Sequence, residues 1–193
     1  LIFLHNNCMK KIIPLLCSLG LVACGAGASG FEIEKKENNL TVNCKSAYLI
    51  DFNSGECIYK QNELERLPIA SMCKVMTLTL ALEAVDNGQL SLDEYITASE
   101  KASSMGGSQV FLASGCQYKV DQLIKSIVVC SANDSCVAFS EKLAGSEESF
   151  VAMMNSKAQE IGCTDTLFSN CTGLPKPTQY SCAKDVALMF RNL

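Results

Sequence analysis

Apolar and polar residues alternate over Cys44–Ile50 and again over Glu56–Lys60, with turn-forming residues Asp51–Gly55 between them, a pattern that predicts a β-hairpin. After Pro68 the period changes. Over Ser71–Val85 the apolar positions Met72, Val75, Met76, Leu78, Leu80, Leu82 and Val85 cover most of a cylinder, and Asn87-Gly88 supplies a stop. Such a helix is expected to be largely buried. Residues 89–119 are mixed, with a flexible loop expected at Ser103–Ser108 around Gly106-Gly107. Asp121 is placed to cap a helix reaching about Cys130, Asn133 a second reaching Leu143 with Gly145 as its stop, and Ser146 a third ending at Gly162. Glu147 and Glu148 then fall in a first helical turn, where carboxylates complement the positive end of the dipole as a solvated cap. Residues 163–180, with Gly173, Pro175 and Pro177, read as loop, and Ser181 is expected to cap a last helix.

The first thirty residues follow a different logic. Met9, Lys10 and Lys11 give a short cationic start, Ile12–Ala23 is apolar, and small residues fill Gly25–Gly30. This is the layout of a secretory signal peptide over residues 9–28. The apolar stretch, broken by Pro14 and Gly20, falls short of the roughly 20 residues a bilayer-spanning helix needs. Two exits are present: Leu21-Val22-Ala23-Cys24 resembles a lipobox with Cys24 as the lipidated residue, and Ala26-Gly27-Ala28 offers ordinary cleavage. Residues 1–8 read as an upstream extension, residues 29–43 as a polar linker, and 44–193 as the folded domain.

Composition narrows the chemistry. The chain has 193 residues, 48% of them hydrophobic and 19% charged, enough to build a core, and its net charge of −4 lacks the basic footprint of a nucleic-acid binder. Its one histidine, His5, lies ahead of the leader, which removes Ser-His-Asp and Cys-His catalysis and histidine zinc ligation. Nine of the twelve cysteines follow the leader, at positions 44, 57, 73, 116, 130, 136, 163, 171 and 182, without a C-x-x-C pair. They read chiefly as small buried residues, with disulfides open to an exported chain. No cofactor or metal is expected.

A serine hydroxyl needs a base, and with histidine gone the bases left are Lys, Asp, Glu and Tyr. Ser71 and Lys74 form S-x-x-K at the start of the buried helix, a spacing that puts Cβ atoms on one face about 5–6 Å apart. Desolvation and the positive end of the helix dipole both favour a neutral, basic amine there. The Ser71 N–H at the same terminus can donate to an oxyanion. A second match, Ser181 and Lys184, reads as a cap and an exposed first-turn lysine. Ser131-Ala132-Asn133 is the chain's one S-x-N and falls on a predicted turn between helices. Its hydroxyl can relay a proton, its amide can bind Lys74 or a substrate carbonyl, and plain capping by Asn133 is compatible with both.

The runs Leu67–Thr77, Met105–Leu112, Ser131–Ala138, Ala144–Phe150 and Gln179–Asp185, in this order, resemble the D-alanyl-D-alanine carboxypeptidases, the low-molecular-mass penicillin-binding proteins. The resemblance runs from about residue 45 to the end. It implies an α+β fold, a helical cluster packed on an antiparallel sheet of the β-lactamase/transpeptidase type. It also implies an exported envelope enzyme that removes the terminal D-alanine of peptidoglycan stem peptides through an acyl-enzyme and is acylated by β-lactam antibiotics. On matching positions Ser71 becomes the nucleophile, Lys74 its general base, and Ser131 with Asn133 the proton relay and substrate contact. Membrane association would come through a Cys24 lipid or a C-terminal region beyond the sequence.

Two departures stand out. Cys73 replaces the family's usual threonine and is expected to point away from the hydroxyl. The family's K-T-G strand, roughly a hundred residues after S-x-N, has no counterpart before Leu193, so the chain reads as an N-terminal portion with little activity alone. A serine β-lactamase is the enzyme alternative, but Thr164–Asn170 holds Asp165 and no glutamate to activate the deacylating water. The non-enzymatic alternative is an envelope lipoprotein that binds peptidoglycan without turnover.

Overall fold

A computed structural model describes residues 42–193; the leader, the Cys24 lipidation site, the upstream extension and most of the linker lie outside the described residues. The hairpin forms as expected. Strand β1 (Ala47–Ile50) pairs antiparallel with β2 (Cys57–Gln61), with a register shift between Leu49 and Ile50. Asp51 closes the turn by accepting from the backbone N–H and hydroxyl of Ser54 at 2.7 and 2.9 Å.

The chain then passes through a 3-10 turn, Ala70–Cys73, into helix α1 (Lys74–Asp86). Lys74 through Ala81 are all buried, so the nearly all-round apolar pattern does mark a central helix. Around it pack α3 (Val120–Cys130), α4 (Asn133–Ala144), α5 (Glu147–Glu160) and α6 (Ala183–Asn192), and α6 also covers β1. Met76, Phe139, Phe150, Phe168, Met154 and Met189 are fully buried and fill the space between them. By the transfer of apolar surface out of water, each such side chain stabilises the fold by about 2 kcal/mol. The result is α+β, a helical cluster with small antiparallel ladders.

Residues 89–119, which carried no clear period, hold a short helix α2 (Glu100–Ser103) and a second ladder, β3 (Tyr95–Thr97) with β4 (Gln117–Lys119). Strands of three residues are too short to show an alternation. Three helix caps differ from expectation: Ala132 and not Asn133 precedes α4, and α3 and α6 differ as well. At α3 the Lys119 N–H donates to Gln122 Oε1 at 3.2 Å, while Asp121 pairs one turn along with Lys125 at 2.7 Å. Ser181 is not the cap of α6: Cys182 occupies that position, and the buried Ser181 hydroxyl meets Thr166 Oγ1 at 2.7 Å beside an antiparallel bridge to Leu67. Ser146 does cap α5, accepting from Ser149 N at 3.1 Å. Among the described residues no helix is long and apolar enough to cross a membrane.

Candidate active site

Ser71 sits in the 3-10 turn that leads into α1 and is solvent-exposed, whereas Lys74, three residues on, is 4% exposed. The spacing brings the two together: Lys74 Nζ donates to Ser71 Oγ at 3.1 Å. A second bond holds the amine from behind, to the carbonyl of Thr172 at 2.6 Å. No carboxylate among the described residues pairs with Lys74. The first backbone bond of the turn runs from Met72 N to Ile69 O, which leaves the Ser71 N–H ahead of the ladder, the position of an oxyanion donor.

Thr172 was not legible as a site residue, and the segment 169–174 that carries it is highly ordered by hydrogen bonds. Asn170, buried, builds it. Its Oδ1 accepts from Gly173 N at 2.7 Å, Thr172 N at 3.2 Å and Thr172 Oγ1 at 3.3 Å, while its Nδ2 donates to Leu174 O at 2.7 Å. Gln179 braces the base of this turn by accepting from Ser169 N and Asn170 N. The nearest sequence signal is the Asn-x-Thr-Gly string, an Asx-turn composition.

Two cysteines and a carboxylate pin the same segment to the helices. Cys73 Sγ donates to Asn170 O at 3.3 Å, so this side chain points away from the Ser71 hydroxyl as expected, and burial pushes its thiol up to about 12. Thr77, one turn along α1, donates to Cys171 O at 2.7 Å. Glu147 does more than cap α5: its carboxylate accepts from Cys171 N at 3.3 Å and pairs with Lys101 at 2.8 Å. Asp165, the carboxylate of the 164–170 stretch, is turned instead to Arg66 at 2.9 Å.

Ser131 and Asn133 occupy the turn between α3 and α4. Ser131 adopts a left-handed conformation (φ 54°), and its hydroxyl is buried without a hydrogen-bond partner. Asn133 is the first residue of α4 and not its side-chain cap: Nδ2 donates to Gly106 O at 2.7 Å, and its N–H to Ser108 O at 2.7 Å. The carboxamide therefore reaches neither Lys74 nor Ser71. It ties the segment read as a flexible loop to the S-x-N turn. A Cβ at Gly107 would lie 2.8 Å from Asn133 Nδ2 and 3.7 Å from Leu174, so this segment also meets the Asn170-built one. Ser181 and Lys184 stay apart from this assembly, Ser181 on Thr166 and the Lys184 N–H on Glu63 O.

The buried Ser131 hydroxyl makes no hydrogen bond to Ser71 or Lys74. The arrangement at Ser71 is an exposed hydroxyl beside a buried amine that no carboxylate among the described residues pairs with, and an N–H ahead of the ladder at the same turn. That is the equipment for acyl transfer through a serine ester.

Comparison with known proteins gives concordant matches. The family model described as D-alanyl-D-alanine carboxypeptidase, Peptidase S11, matches residues 33–193. The chain is 41% identical over 186 residues to the D-alanyl-D-alanine carboxypeptidase DacF of Bacillus subtilis, covering 96% of this chain and 48% of that protein. It is 36% identical over 158 residues to DacA of Escherichia coli K12, covering 79% and 39%. Among solved structures, the carboxypeptidase DacD of Francisella tularensis superposes with a TM-score of 0.80 at 32% identity, over 86% of this chain and 41% of that one. Penicillin-binding protein D2 of Listeria monocytogenes in its ampicillin-bound form gives 0.69 at 30% identity, over 79% and 62%. The chain thus spans about half the length of the curated relatives it matches.

Proposed function

Because this chain belongs to the D-alanyl-D-alanine carboxypeptidase family of serine peptidases, we propose that it carries the nucleophilic half of a carboxypeptidase that removes the terminal D-alanine of peptidoglycan stem peptides. Lys74 accepts the Ser71 proton as Oγ bonds to the carbonyl carbon of the penultimate D-alanine. The Ser71 N–H stabilises the oxyanion. The C–N bond then breaks, and Ser131 relays a proton to the departing D-alanine amine. Water, deprotonated by the Lys74 amine, attacks the ester carbonyl, and Lys74 returns that proton to Ser71 Oγ as the ester C–O bond breaks and Ser71 is freed. The same attack on a β-lactam opens its ring and leaves Ser71 acylated, in keeping with the ampicillin-bound form of the Listeria relative.

The observation that carries this reading is the 3.1 Å contact between the exposed Ser71 hydroxyl and the buried Lys74 amine. Asn133 supports it from outside the reacting atoms, by holding the 105–108 segment against the S-x-N turn. The test is acylation by fluorescent penicillin of the protein as its gene encodes it, with the modified residue located by mass spectrometry. Labelling at Ser71, lost in Ser71→Ala, supports the assignment; label on another residue, or none, defeats it. The proposal extends to location: the leader exports the domain to the outer face of the cytoplasmic membrane, and its lipobox exit, which cuts before Cys24 and not after Ala28, leaves Cys24 as a lipid anchor. A Cys24→Ala variant released from membranes by salt, beside a retained parent, would support the anchor; equal release would remove it.

A further inference from the structure

The segment that meets the S-x-N turn carries a second feature which the mechanism leaves unused. Phe111 is 78% exposed and has a φ of 59°, the left-handed region that a bulky L-residue rarely adopts. Its two neighbours are held inward. Asp134, fully buried and next to Asn133, accepts from Val110 N at 3.1 Å and from Leu112 N at 3.0 Å with one carboxylate oxygen. Leu112 is 4% exposed in the core, and Val110 packs on it. A single buried carboxylate thus clamps the N–H groups on both sides of Phe111 and forces the residue between them outward.

Physical chemistry favours another residue here. Glycine or asparagine would sit at this φ without strain, and a polar side chain would not leave an aromatic ring in water. Backbone strain held by surrounding structure is a feature of ligand-contacting positions. The segment that carries the ring also meets the site. Ser108 and Gly106, on the same segment, accept from the N–H and Nδ2 of Asn133, and Gly107 abuts Leu174, whose neighbour Gly173 packs against Ser71 N.

We propose that Phe111 is a specificity-determining residue of the cleft, a preset apolar contact for the side chain of the acyl donor that Ser71 attacks. Asp134 acts through it as a positioning residue. The inference rests on the reading of Ser71 as the acylated nucleophile and adds to it a preference for donors with an apolar or aromatic side chain.

The experiment compares acylation rates of two β-lactams on the protein as its gene encodes it. Benzylpenicillin carries an aromatic side chain; 6-aminopenicillanic acid carries none. Phe111→Ala is expected to slow acylation by benzylpenicillin about tenfold, the scale of one apolar contact in a pocket. The rate with 6-aminopenicillanic acid should change less than about twofold, and Phe111→Trp should restore most of the difference. Phe111→Gly should show the same selective loss with a Tm equal to or above the parent, since glycine relieves the strain. Equal effects on both compounds would overturn the proposal. So would a Tm several degrees lower in Phe111→Ala with selectivity intact, which would mark the ring as packing against another part of the protein. If neither compound acylates Ser71 in the parent, the assignment of the nucleophile itself fails, an outcome separate from unchanged selectivity on an acylated Ser71.

Discussion

Gly173 lies so close to Ala70 that a Cβ built on it would stand 1.9 Å from the Ala70 carbonyl oxygen and 3.0 Å from Ser71 N. Its φ of 86° adds a second reason for glycine. The two backbones in contact are the one that presents Ser71 and the one that presents the Thr172 carbonyl to Lys74, so this approach sets the register of nucleophile and base. Gly173→Ala has no flexible side chain to displace and must push two backbones apart. The expected loss is about 2–4 kcal/mol in urea unfolding, with penicillin acylation of Ser71 slowed more than tenfold. A variant as stable and as reactive as the parent would show that the contact is incidental.

Asn170 holds Thr172 and Gly173 in place through its single carboxamide. Asn170→Ala removes the partner of the Thr172 and Gly173 N–H groups and of the Leu174 carbonyl, for an expected loss of about 3 kcal/mol. Asn170→Asp keeps the accepting oxygen and loses the donor to Leu174 O, so it should rescue stability only in part. Thermal denaturation of both variants, read beside acylation rates, separates a general loss of fold from a loss of lysine placement.

Lys74 is assigned proton transfer, and charge alone does not supply that. Lys74→Ala should slow acylation by about 10³, the scale of a lost general base. Lys74→Arg keeps a cation but cannot give up its proton near neutral pH, so it should be just as slow. Stopped-flow acylation decides the matter, since an arginine variant with parent-like rate would make Lys74 an electrostatic support.

How much of this could be read from the chain depends on how local each relationship is. Ser71 and Lys74 declared themselves because three residues on a helical turn fix their distance whatever the rest of the fold does. Helices α3, α4 and α5 were visible through period and stops, and of their three expected caps Ser146 alone holds. Thr172 was not, because it contributes a backbone carbonyl from 98 residues away, and a carbonyl leaves no mark on residue type. Asn133 was found, but not its bond to Gly106 O, which depends on a segment whose course had no periodic signal. Ser181 had a cap's composition and became a bridge residue once tertiary pairing with Leu67 claimed its backbone.

Glu147 makes the site loop sensitive to acid. Burial pushes its carboxyl upward, but the Lys101 ammonium and the Cys171 N–H outweigh it and leave the group below the ordinary value of 4.5. A carboxyl depressed on folding contributes in full above its unfolded value and loses that contribution as pH falls through the folded one. Lys101, raised chiefly by its bond to Glu147, works in the opposite sense: its share is present below 10.5 and fades as pH rises through its folded value. Stability should therefore drop below about pH 4.5, the unfolded carboxyl value, and Glu147→Gln should flatten that acid limb. Urea midpoints across the acid range would test this, an unchanged limb in the glutamine variant counting against it.

Among the described residues, burial also sorts the thiols into two classes. Cys44, Cys57, Cys116 and Cys130 are free and exposed, whereas Cys73, Cys136, Cys163, Cys171 and Cys182 are free and buried. Desolvation raises all five of the buried group, Cys73 and Cys163 to about 12. At pH 8 these five, raised and buried, hold little thiolate, the species that reacts. Native protein treated with a maleimide should be modified at the four exposed positions within minutes, with the buried five reacting only in denaturant. Peptide mapping would resolve each site. Because Cys73 and Cys171 pack the Asn170 segment against α1, early modification of either would show that this segment opens in the native state, and acylation of Ser71 should then fall in step with their labelling.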